Sequence, residues 1–78
     1  MTKLQMMIES IESKIKWEQK NIDRCMEQVK DCANSGKTYE VVTFLPGYTR
    51  ELSEAVERQN AYTEQLRMLE FLQKDEEN

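Results

Sequence analysis

The side chains that carry out most enzyme chemistry are sparse in this sequence. It contains no histidine, the commonest general acid and base, and no Gly-x-Ser-x-Gly turn that would raise a serine nucleophile. Acid–base work would fall to carboxylates, and Glu18 is the one carboxylate that a helix would turn inward, where burial would raise its pKa. Its competing role is structural, because a polar residue in an apolar seam fixes register or oligomer state. We expect the structural role, and no catalytic residues. The two cysteines, Cys25 and Cys32, are seven residues apart. On one helix their Cα atoms would be about 10.5 Å apart, beyond the roughly 7 Å reach of a disulfide. With no histidine and no acidic loop beside them they match neither a zinc nor a calcium pattern, so no metal or other cofactor is expected. They are expected to be reduced and buried as small apolar groups. Gly36-Lys37-Thr38 echoes the end of a phosphate-binding loop without the upstream glycine or the preceding strand, and it is expected to mark one helix stopping and another starting.

Recognition has more to work with. Trp17 falls at an outward position of its helix, and Lys20, Asn21 and Arg24 follow it by three, four and seven residues on the same face, with Lys14 and Lys16 beside them. An aromatic ring next to several donors can stack a base and hold its phosphate, or anchor a protein interface, where Trp and Arg are enriched. Packing against a second copy is the first expectation for Trp17, and a partner protein the second. A nucleotide or nucleic acid comes third, because Asp23 and Glu27 dilute the positive field and the net charge is −4. Tyr39, Phe44 and Tyr48 form another possible contact surface, although closing the end of the fold is their expected role.

These residues must be positioned by helices. Charged residues make up 33% of the chain, with only two glycines and one proline, a composition that suits long helices rather than turn-rich sheets. From Leu4 the apolar residues fall at Leu4, Ile8, Ile11, Ile15, Ile22, Cys25, Val29 and Cys32, alternately four and three apart with a gap at Glu18. That seam predicts a helix over 3–33. Asn34-Ser35-Gly36-Lys37 follows as the turn, with Gly36 suited to the left-handed conformation that closes a helix. A second seam runs through Val41, Leu45, Tyr48, Leu52, Ala55, Tyr62, Leu66 and Leu69, with its gap at Gln59. Pro46-Gly47 interrupts it, so residues 34–47 are expected to be a turn or a short helix capped by Thr38, followed by a kink and a helix over 48–73. Residues 74–78 read as a disordered acidic tail.

Folded back on each other, the two seams close as an antiparallel coiled-coil hairpin in which paired residue numbers total 73 or 74. The two gaps then approach, and Glu18 with Gln59 would form a buried polar layer. A hairpin covers one side of each seam only. At 78 residues a single core supplies no more than about 3–5 kcal/mol, so a partner is expected. Met6, Met7, Met68, Phe71 and Leu72 lie off the seam where the two termini meet, an apolar patch that a second copy would cover as a dimeric four-helix bundle.

No run approaches the roughly 20 apolar residues that span a bilayer and no signal-peptide core opens the chain, so a cytoplasmic protein without a membrane partner is expected. The layout resembles the coiled-coil arms of larger proteins and the small interaction proteins of bacteria and their phages, a likeness of architecture. A small hairpin with no catalytic chemistry can act only by occupying space, so a non-enzymatic protein that binds and blocks or scaffolds a partner protein is expected. An inhibitor from a phage or mobile element, directed at a host defence or regulatory factor, fits that profile. A nucleotide or small-ligand sequestering oligomer with sites between subunits, and a self-assembling spacer, are the competing expectations.

Overall fold

The computed structural model describes residues 2–77, and they form an all-α hairpin of two helices, α1 (Lys3–Ala33) and α2 (Thr38–Glu77), with no strand among them. Helix α1 starts at a capping threonine. Thr2 is extended, and its Oγ1 accepts a hydrogen bond from the Gln5 N–H at 3.1 Å, satisfying one of the donors that a helix start leaves free. The helix ends at Asn34, whose N–H bonds to the Lys30 carbonyl at 3.0 Å, while Ser35 N–H reaches the Cys32 carbonyl. Gly36 then takes φ +74°, the left-handed conformation that costs a residue with a Cβ roughly 1 kcal/mol or more.

The start of α2 differs from expectation. Thr38 does not cap it; Thr38 is its first helical residue, and the Lys37 carbonyl accepts the first bond, from Val41 N–H at 3.1 Å. Ser35 Oγ in turn accepts from Lys37 N–H, so the four-residue turn is held by its own side chain. Nor does Pro46 end a short helix: α2 runs through Pro46 and Gly47 as one element. Pro46 has no N–H to give the Val42 carbonyl, a defect that costs about 3 kcal/mol in a helix interior. Packing offsets that cost: Val41, Leu45, Tyr48 and Leu52, spanning the proline, are all half-buried within the hairpin. The Thr49 hydroxyl also donates to the Pro46 carbonyl at 3.0 Å. The expected disordered tail is helical through Glu77, and Asn78 lies outside the described residues.

Contacts across the hairpin run in antiparallel order. Cys32 Sγ donates to the Glu40 carbonyl near the turn, Gln59 Nε2 donates to the Ile15 carbonyl at mid-length, and Gln73 Nε2 donates to Gln5 Oε1 at 2.6 Å at the open end. Where one side chain meets a backbone, the paired numbers total 72 or 74, within one of the 73 or 74 that the seams predict; where two side chains meet, the total is 76 or 78. Side-chain direction accounts for the offset. Helical Cα–Cβ bonds tilt toward the N-terminus, so in an antiparallel pair each side chain leans away from its own level in the sense that raises the total.

The hairpin is thin. Its Cα radius of gyration is 17.7 Å, against about 11.5 Å for a compact domain of this length. Among the described residues only Ile8, Cys25, Cys32 and Ala55 are buried apolar residues, and the remainder of both seams is half-exposed. The two glycines give opposite tests of this backbone. A Cβ at Gly47 would meet nothing within 4 Å, so Gly47→Ala should stabilise the helix by about 0.5–1 kcal/mol. Gly36→Ala, at positive φ, should destabilise by about 1 kcal/mol. Thermal melts should show the first rising and the second falling by several degrees, and a fall for Gly47→Ala would contradict a helix that is continuous through residue 47.

Candidate functional site

The middle of the hairpin gathers the polar residues that interrupt the two seams. Glu18 is buried, with 6% of its surface accessible. It does not meet Gln59, as the alignment of the two gaps suggested. Arg58 Nε donates to Glu18 Oε1 at 3.1 Å, and Asn21 Nδ2 donates to Oε2 at 3.4 Å. Gln59 turns to the other flank of the seam, donating to Gln19 Oε1 at 2.9 Å and to the Ile15 carbonyl at 3.4 Å, while Gln19 donates onward to Asp23. The expected single polar layer is therefore two separate networks. The reason is local: Arg58 precedes Gln59 by about 100° of helix rotation, which puts a cation on the flank where the buried carboxylate needs one.

That pairing also reverses the expected direction of the Glu18 pKa. The hydrogen bond from Arg58 lowers it, burial opposes that shift, and Asn21 together with the Arg58 charge lowers it further, leaving the carboxyl below its ordinary value of 4.5. The guanidinium is correspondingly held protonated more firmly. Glu18 is thus an anion at neutral pH, bound through Oε1 to a half-exposed arginine and through Oε2 to Asn21.

The site expected around Trp17 is brought together only in part. Trp17 is exposed, with 63% of its surface accessible, and Lys20 and Arg24 are exposed beside it. Asn21 is half-buried and committed to Glu18, so it does not join them. Lys14 is drawn to the hairpin groove, its Nζ 5.6 Å from the centre of the Tyr62 ring.

The apolar patch at the open end is present and shaped. Met7, Ile11, Met68, Leu69 and Leu72 line a groove of about 420 Å³ between the helices, with Ser10, Lys14 and Gln65 on its rim. Met68 and Phe71 are 69% and 68% exposed. The five residues of the patch divide, however. Met7 and Leu72 line the groove, while Met6 and Phe71 do not: Met6 shares a shallow hollow with Lys3, Met7 and Ser10, and Phe71 shares hollows with Arg67, Met68 and Leu72 and with Glu70 and Lys74. Phase within the turn decides this, since neighbouring residues of a helix point about 100° apart.

At the turn, Tyr48 is half-buried and helps close the hairpin, but Tyr39 and Phe44 do not: both are exposed, Tyr39 to 75%, and Val42 stands out one turn from Tyr39. The free thiols of Cys25 and Cys32 are buried on α1. Among the described residues no cluster of His, Cys, Asp or Glu could hold a metal ion, and no helix is long and apolar enough to cross a membrane.

The depressed Glu18 pKa carries a signed consequence. A carboxylate whose pKa is lower folded than unfolded contributes stability above its ordinary pKa and loses it as pH falls through the folded value. The melting temperature of the wild type should therefore drop as pH falls below the ordinary value of 4.5 and through the lower folded value, and Glu18→Gln should remove part of that drop. In Arg58→Ala the carboxyl keeps its burial and loses its main anionic stabiliser, so its NMR titration should move upward. A wild-type Glu18 that titrates at or above the ordinary value would rule the pairing out.

No family model, curated protein or solved structure matches this chain.

Proposed function

We propose that this chain is a non-enzymatic helical interaction protein that binds a partner protein and blocks or scaffolds it. The observation that carries this reading is the surface. Eleven large apolar side chains stand exposed among the described residues, from Met6 and Met7 at the open end, through Trp17, to Tyr39, Val42 and Phe44 by the turn. Exposed apolar area of this extent on a small protein marks interaction surfaces, and aromatic residues are the usual anchors of protein interfaces. The polar centre of the hairpin is occupied with holding the two helices in register.

Tyr39 and Val42 are the best anchors for a foreign protein. They lie three residues apart on one face, at the end of the molecule that narrows to the turn, and neither packs within the hairpin. Lys37 and Glu40 bracket Tyr39 with an exposed ion pair at 3.7 Å, a polar rim beside an aromatic centre.

The test begins with affinity capture on the immobilised full chain, followed by titration of the purified captured protein against the purified chain. We expect Tyr39→Ala to weaken that binding by about tenfold or more, the effect of losing a central aromatic anchor, with helicity by circular dichroism unchanged. Binding indifferent to both Tyr39→Ala and Val42→Asp would overturn the turn-end surface. Saturable turnover of any substrate by the chain would overturn the non-enzymatic reading.

A further inference from the structure

We infer that the flank of the hairpin carrying the Met7–Leu72 groove is covered by a second copy of the chain, related by a two-fold axis parallel to the long axis of the hairpin. The result is a four-helix bundle in which both open ends lie together and α1 of each copy packs antiparallel on α2 of the other. This rests on reading the chain as an interaction protein, and it names the occupant of one of its surfaces.

The exposed area is the first ground. A folded monomer of 9.3 kDa exposes about 5000 Å² by the usual scaling of surface with mass, whereas this chain exposes 6150 Å². The excess, about 1200 Å², is more than the roughly 800 Å² that each partner gives up in a standard interface. The second ground is the difference between the flanks. One is closed by polar contacts two heptads apart, Gln5 with Gln73 and Gln19 with Gln59. The other holds the apolar groove at the open end, with the Glu18–Arg58 pair further along it at mid-length.

Charge supplies the third ground and selects the axis. On α1 the groove flank is edged by Lys3, Ser10, Trp17, Arg24 and Asp31, each seven residues from the next; on α2 the matching edge is Gly47, Glu54, Ala61, Met68 and Asp75. The two-fold sets the first edge of one copy against the second edge of the other at the hairpin's own side-chain register. Lys3 then meets Asp75, Trp17 meets Ala61, Arg24 meets Glu54, and no like charges meet along the edge. Trp17 gains a small, flat neighbour for its exposed ring. A two-fold across the long axis at mid-length would instead set Met7 over the polar turn end of α1, near Gln28 and Asp31. The turn-end residues Tyr39 and Val42 stay uncovered in the bundle, free for a foreign partner.

Molar mass by light scattering, followed over concentration with the fluorescence of Trp17, the one tryptophan, tests this. At about 100 µM the wild type should have twice the monomer mass, and its emission should shift to the blue as the dimer forms. Leu72→Asp should weaken dimerisation by about a hundredfold or more while keeping helicity, because the charge enters the groove twice per dimer. Arg24→Glu should weaken it by about tenfold, and Arg24→Glu with Glu54→Arg should restore it. A wild type that stays monomeric at 1 mM or so would overturn the bundle while leaving turn-end binding untouched. A dimer that Arg24→Glu weakens and Glu54→Arg fails to rescue, or whose tryptophan emission does not move, would overturn the proposed axis.

Discussion

Two helices laid side by side meet along a line, and each can hide only the residues that face the other. Everything else about this hairpin follows from that geometry. Its long dimension is 59 Å and the other two are 16 and 13 Å, so almost no residue lies more than one side chain from solvent. The buried apolar set among the described residues is short and mostly small, with Ala55 and the two cysteines accompanying Ile8. Small residues suit such a seam because they let the helix axes approach, and the larger aliphatic residues then flank the contact half-covered.

With so little apolar burial, alignment along the seam falls to polar residues. Glu18 and Arg58 on one flank, and Gln59 with Gln19 on the other, tie the same stretch of α1 to the same stretch of α2. A slip by one helical turn would keep many apolar contacts, since both seams repeat, but it would leave the Glu18 carboxylate buried without its cation. Buried charges without partners are among the costliest defects a fold can contain, so the pair acts chiefly against wrong registers. Arg58 is half-exposed, and the direct stabilisation from the ion pair is correspondingly screened.

The same thinness shapes how the molecule can act. A rigid rod without an interior offers surfaces rather than cavities, and its surfaces differ along its length: apolar at the open end, polar at the centre, aromatic beside the turn. The continuity of α2 through Pro46 matters here because it makes the turn end an extension of the rod, presenting Tyr39 and Val42 on a helix rather than on a loop. Aromatic groups on a helix lose less conformational freedom on binding than the same groups on a loop, and that favours their use as anchors.

The heptad spacing by itself determined α1, the presence of a second helix, their antiparallel order and the place of the turn, because once the chain reverses at Asn34–Lys37 the two apolar seams can be covered by closing on each other. Spacing also identified Glu18 as the inward carboxylate and Trp17 as an outward ring. Tertiary structure decided which partner each polar residue took. Arg58 carries no apolar periodicity and so no signal in a seam, yet it claims Glu18, because a cation at hydrogen-bonding distance outweighs an amide one position away. The path of the chain at Pro46 was likewise settled by packing on both sides of it. Local propensity for a break is worth a few kcal/mol at most, and the half-buried residues from Val41 to Leu52 together outweigh it.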